Sequence, residues 1–153
     1  MIITYLGKQF FKIQQGELVI AFNPISKDSK AKEAGSRFGS VIALSTVNHP
    51  DYNGFDMVSH GDTVPFEIKG PGDYEVKDIF IKGILNETTL SGKKYINTIY
   101  LLSIEGISIC FLGAVSQGKR SAEVYEHIDS PDIWFLPVGN NDLLAPSEAY
   151  KLA

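Results

Sequence analysis

Short runs of β-branched, aromatic and aliphatic residues, broken every few positions by turn formers, dominate the first 45 residues. IITYL (2–6), FFKI (10–13) and ELVIAF (17–22) predict three strands. Gln14-Gln15-Gly16 predicts a hairpin turn between the second and third. Asn23-Pro24 ends the third, because proline cannot donate to a ladder. Residues 25–40 are polar, include Gly35 and Gly39, and predict a loop with at most one short helix. VIALS (41–45) is a continuous apolar run, the pattern of a strand covered on both faces.

Further along, PFEIK (65–69) and DIFIKGI (78–84) alternate more openly, and Gly70-Pro71-Gly72-Asp73-Tyr74 between them reads as a turn. NTIYLLSI (97–104), Glu105-Gly106 and ISICFLG (107–113) form the clearest hairpin signal. KRSAEVYEHI (119–128) has helical spacing of its apolar residues, and DIWFLPV (132–138) reads as another buried strand. From Ala145 onward, proline in the first turn predicts a helix. The sequence stops about two turns later, too short a helix to stand alone. The expectation is that a segment once following it has been lost.

Composition narrows the class. The 153 residues suffice for one domain with a sizeable core. A net charge of −4 gives no field for nucleic acid or an anionic membrane. Lys27, Lys30 and Lys32 are interrupted by Asp28 and Glu33 and read as a solvated face. A lone cysteine, Cys110 in an apolar run, excludes a disulfide framework and a thiolate zinc site. Neither a signal segment nor a membrane-length apolar run is present, so the expected setting is the cytoplasm.

Candidate chemistry gathers after VIALS, in STVNHPDYNG (45–54). His49 and Asp51 are both zinc-ligand types, and a loop after a buried strand can aim them at a cleft. Two ligands are too few, since catalytic zinc takes three protein groups plus water. Taken alone, the stretch reads as a polar turn. His60, in His60-Gly61-Asp62, is a further candidate that would complete a mononuclear site with His49 and Asp51. His127 suits the end of the 119–128 helix, where a cation complements the dipole. Gly70-Pro71-Gly72 lacks the lysine and following helix of a phosphate loop. Ser45, Ser103 and Ser108 lie in strand patterns without a paired His and Asp, and Trp134 and Phe135 read as core.

MIITYLGKQFFKI, ELVIAFNP, ALSTVNHPDYNG, GPGDYEVKDIFIKGI, NTIYLLSIEGISICFLG and DIWFLPVG…APSEAYKLA, in this order, resemble the metallo-β-lactamase-fold hydrolases. The likeness is to the small bacterial metal-dependent hydrolases similar to L-ascorbate-6-phosphate lactonase. It covers nearly the whole chain and implies a single β-rich α/β (α+β) domain over 1–153, an αβ/βα sandwich with facing mixed sheets, incomplete at its C-terminal side.

The resemblance also implies a metal signature, His-x-His-x-Asp-His, and HPDY sets its frame. Val47 then stands at the first histidine, His49 at the second, Asp51 at the aspartate and Tyr52 at the last histidine. Ala114 stands where an aspartate bridging two metals is expected, and Leu85-Asn86-Glu87-Thr88 lacks an expected histidine. A final histidine would lie beyond Ala153. Asn23 replaces an aspartate before proline, and Lys8 replaces a histidine after YLG.

The expected protein is therefore a hydrolase-like member of that superfamily with a degenerate metal site and weak or no activity. Asp51 is the remnant catalytic candidate. No cofactor is expected, and zinc is the metal if one binds. The alternative is a non-catalytic binding or assembly module on the same scaffold, and a third reading is a hydrolase with an unusual single-metal site. Self-association through apolar surface uncovered by the lost segment is the expected partnership, with no nucleic acid and no membrane. No substrate is legible.

Overall fold

Phe22, Ile20, Ile42 and Leu44 are fully buried, as the continuous apolar runs around them require. A computed structural model describes residues 1–30, 37–116, 128, 130–139 and 143–152, and the predicted 119–128 helix lies almost wholly outside them. The chain divides into two compact units, Met1–Lys69 and Gly70–Ala153.

The first unit carries one mixed sheet in the order β1-β2-β3-β4-β5, made of Ile2–Tyr5, Phe11–Gln15, Leu18–Phe22, Ile42–Leu44 and Phe66–Ile68. β1, β2 and β3 pair antiparallel, then β4 and β5 join in parallel. Alternation sends Ala21 and Ala43 to one face, where they cluster with Phe10, Ile25, Phe55 and Val58. Phe55–Val58 is a single 3-10 turn that caps this cluster. Gly54 precedes it because a Cβ there would meet the Ile25 carbonyl and the Ser26 nitrogen at 2.5 Å. The β2–β3 turn falls at Gly16-Glu17, one residue beyond the expected position, with Gly16 supplying a φ of 58°.

The second unit holds the order β10-β9-β8-β7-β6: Gly72–Val76 (β6), Ile79–Leu90 (β7), Lys93–Ile104 (β8), Ile107–Phe111 (β9) and Ile133–Phe135 (β10). All pairs are antiparallel except β9–β10. Residues 70–74 are only in part the expected turn, since Gly72 already begins β6. Cross-strand pairing with β7 overrides the local glycine-proline signal there. The Glu105-Gly106 hairpin forms as expected, both residues at positive φ. Strands β7 and β8 run twelve residues each, well beyond the apolar stretches that predicted them. One core cluster unites Ile84, Ile99, Cys110, Leu112, Val115, Leu144 and Ala149. Ala149 comes from α1, Pro146–Leu152, which begins with proline as predicted. Among the described residues no helix is long and apolar enough to cross a membrane.

Candidate metal loop

The loop that follows β4 is fixed from below by backbone and buried polar groups. Ser45 N–H donates to the Ile68 carbonyl at 2.9 Å, and Ser45 Oγ donates to the Val47 carbonyl at 2.8 Å. Asn23 ends β3 in the left-handed region, at φ 50°, which asparagine tolerates. From there its Oδ1 accepts both the Thr46 N–H at 2.8 Å and the Thr46 hydroxyl at 3.1 Å. Because a backbone N–H can only donate, the amide orientation is set, and among the described residues the buried Asn23 Nδ2 finds no partner.

The tip of the loop is a compact turn. His49 N–H donates to the Val47 carbonyl at 3.0 Å, and Tyr52 N–H to the His49 carbonyl at 2.8 Å. Asp51 N–H donates to His49 Nδ1 at 3.0 Å, so that ring nitrogen presents its lone pair inward to the turn. The 3.9 Å between His49 Nδ1 and Asp51 Oδ2 is accordingly no hydrogen bond. Two further bonds, Ser26 N–H to the Pro50 carbonyl at 2.8 Å and Gly54 N–H to the Pro24 carbonyl at 2.7 Å, lace the loop to residues 24–26.

Asp51 is the electrostatic centre. Its Oδ2 lies 2.9 Å from Lys8 Nζ, and its Oδ1 accepts from the Ser29 hydroxyl. Lys8 sits at φ 47° in the tight turn joining β1 to β2, which the Phe10 N–H closes on the Gly7 carbonyl at 2.8 Å. Partial burial pushes the Asp51 carboxyl up. The Ser29 hydrogen bond and the hydrogen bond and charge of Lys8 outweigh it, holding Asp51 below the usual carboxylate value.

The positions aligned with the other ligands are apolar or otherwise engaged. Val47 is buried at 2% exposure and has no donor atom, while the Tyr52 ring packs edge-on to His49 at 6.0 Å between centroids. His60 is exposed and forms a β-bridge with Thr63. Among the described residues no three His, Cys, Asp or Glu side chains come together in a group that could hold a metal ion. In the second unit, Ala114 is fully buried. Its N–H donates to Asn97 Oδ1 at 2.9 Å, and its carbonyl accepts from the Thr88 hydroxyl. Asn97 Nδ2 reaches both Asn86 Oδ1 at 3.1 Å and the Leu112 carbonyl at 3.0 Å. Sequence reasoning named Lys8 only as a replaced position and did not reach Ser29. Neither carries a local signal of the contact it makes.

A model of the β-lactamase superfamily domain matches residues 2–153. The chain belongs to the metallo-β-lactamase superfamily. Among solved structures, it is similar to a protein from Thermotoga maritima assigned as a Zn-dependent hydrolase of that superfamily. There the TM-score is 0.73 and the identity 25%, over 98% of this chain and 68% of that one. A protein from Parabacteroides distasonis assigned as a metal-dependent hydrolase gives a TM-score of 0.74 at 17% identity, over 97% and 74% of the two chains. A metallo hydrolase from the archaeon Ignicoccus hospitalis gives 0.63 at 17% identity, over 96% and 74%. These last two likenesses concern the fold. No curated protein sequence matches the chain. The two mixed five-stranded sheets are those of the metallo-β-lactamase-type α/β sandwich.

Proposed function

We propose that this member of the metallo-β-lactamase superfamily keeps the scaffold of a metal-dependent hydrolase without its metal centre, and that it has little or no hydrolytic activity. The observation that carries this reading is the state of Asp51, whose two oxygens are taken up by Lys8 and Ser29. The donor set does not fit a metal. His49 Nδ1 is used within the turn, Val47 offers no side-chain donor, and the Lys8 ammonium stands where a divalent ion would be repelled. Hydrolysis on this fold rests on water activated by a metal ion, and without that ion the nucleophile does not form at neutral pH. The buried lone thiol of Cys110 suits the reducing setting of the cytoplasm.

The test is elemental analysis of purified protein together with assays on a phosphorylated sugar lactone and a phosphodiester. The lactone is chosen from the resemblance to the ascorbate-phosphate lactonases. Substoichiometric zinc and no turnover above the uncatalysed rate are expected. One or more tightly held zinc ions per chain with hydrolysis of either substrate would overturn the reading.

A second reading, a binding or assembly module, is favoured by β1. All four residues of this edge strand are exposed, including Ile2 at 64% and Tyr5 at 61%, and none is charged. Uncharged edges offer unpaired backbone groups to a second chain. A sizing column run at rising concentration distinguishes the readings, because a persistent monomer removes the case for self-assembly.

A further inference from the structure

Resting on the assembly reading of β1, we infer that this strand pairs antiparallel with β1 of a second copy of the chain, about a two-fold axis that passes between the two Thr4 residues. The sheet edges differ in how they are guarded. β6 carries Asp73 and Glu75, β5 is three residues long with Glu67 at its centre, and β10 is equally short and partly buried. β1 carries no charge, and all four of its residues are exposed. Charge on an edge strand keeps other chains away, and β1 lacks that protection. The net charge of −4 sets copies against one another in general, yet none of it sits on this strand.

The occupant follows from the direction of the backbone groups. β1 and β2 pair with Ile2 opposite Gln14, Ile3 opposite Ile13, Thr4 opposite Lys12 and Tyr5 opposite Phe11. In the same register the Leu6 N–H donates to the Phe10 carbonyl at 2.8 Å, which marks Leu6–Phe10 as a hydrogen-bonded pair. Bonded and non-bonded pairs alternate along an antiparallel ladder. Ile2 and Thr4 therefore spend their backbone groups on β2, while Ile3 and Tyr5 turn theirs outward. Those two residues flank Thr4 symmetrically. When the strand meets its own copy, Ile3 of each chain exchanges backbone bonds with Tyr5 of the other, and Thr4 faces Thr4. Centred elsewhere, one of the two falls opposite a residue outside β1. Alternation also places Ile3 and Tyr5 on one face, so each Tyr5 ring meets the other copy's Ile3 as an aromatic–aliphatic cross-strand pair. Tyr5 already rests against Phe11, with ring centroids 5.1 Å apart, so little side-chain freedom is lost on pairing.

The experiment puts a thiol on the axis. Two Cα atoms in a non-hydrogen-bonded pair lie about 4.5 Å apart, within disulfide reach. Ile3 and its own copy are offset along the strands by about 8 Å in all, beyond that reach. The native thiol, Cys110, is buried. Full-length Thr4→Cys and Ile3→Cys are oxidised with glutathione disulfide and run on a non-reducing gel, circular dichroism confirming that each is folded. Thr4→Cys is expected to cross-link several-fold more than Ile3→Cys. Thr4→Glu is expected to stay monomeric on the sizing column, because two carboxylates then face each other across the axis. Within its own chain the new carboxylate lies opposite Lys12, which keeps β1 on β2. A wild type that is monomeric at every concentration overturns the assembly reading and this inference together. A wild-type dimer that Thr4→Glu leaves intact, or equal cross-linking of the two cysteine variants, overturns the two-fold pairing alone.

Discussion

Lys8 Nζ stands 2.9 Å from Asp51 Oδ2 although 43 residues separate them in the chain. The contact links the turn between the first two strands to the loop after the fourth. With Ser29 on the other carboxylate oxygen, it makes Asp51 the meeting point of three segments that share no regular secondary structure. A carboxylate so engaged holds a loop in place, and several consequences can be measured.

Stability should fall with acid partly through Asp51. Its folded pKa is depressed, so the contribution is fully present above the unfolded value of about 3.9 and is lost as pH falls through the folded value beneath it. Asp51→Asn is expected to lower stability near neutrality and to flatten the decline below about pH 4. Urea midpoints from pH 6 down to pH 3 check both the sign and the window.

Gly54→Ala should be among the most damaging single changes. The added methyl meets the backbone of Ile25 and Ser26 at 2.5 Å, and backbone pinned by the Gly54 to Pro24 bond has little room to retreat. A loss of about 3 kcal/mol or more is expected, at the upper end for overpacking. Equilibrium urea unfolding reads it directly.

Asn97→Ala removes a buried amide that serves Asn86, the Leu112 carbonyl and the Ala114 N–H at once. Buried groups left without partners cost about 1–3 kcal/mol each, so a total of about 3 kcal/mol is expected. Asn97→Asp keeps the acceptor for Ala114 but loses the donor to Leu112. It should also be destabilising at neutral pH, through burial of a charge. The same unfolding assay ranks the two.

Cys110 is fully buried in β9, and burial pushes its thiol up to about 12. Thiolate is the reactive form, so a thiol reagent at about pH 8 should leave the native protein unlabelled and label it fully in denaturant. Mass spectrometry of the two samples decides the point.

Much of the fold was legible because burial writes itself into short apolar runs. ELVIAF and VIALS mark β3 and β4, whose central residues are fully buried. Polar strand extensions were not legible. Glu87, Thr89, Lys93 and Lys94 lie in β7 and β8 because their partners across the ladder hold them there, and nothing in ETTLSGKK announces it apart from Gly92. Gly70-Pro71-Gly72 carried a true turn signal that ran one strand short. At the site, HPDY marked the loop in which the structure ties Asp51 to Lys8 and Ser29. The partners of Asp51 could not be read, because a contact across 43 residues is set by tertiary closure and not by spacing.

The β7–β8 hairpin also says something about time. Its two twelve-residue strands are joined by only Ser91-Gly92, so pairing can zip outward from a closure of minimal entropy. The parallel β3–β4 pair must first enclose the long connection from Asn23 to Val41. Local contacts form sooner than distant ones, so the β7–β8 hairpin should form before the parallel β3–β4 pair. Pulse-labelled amide exchange would then protect Ile84 and Ile99 ahead of Ile20 and Ile42, and the Asp51 clasp would be among the last parts of the chain to assemble.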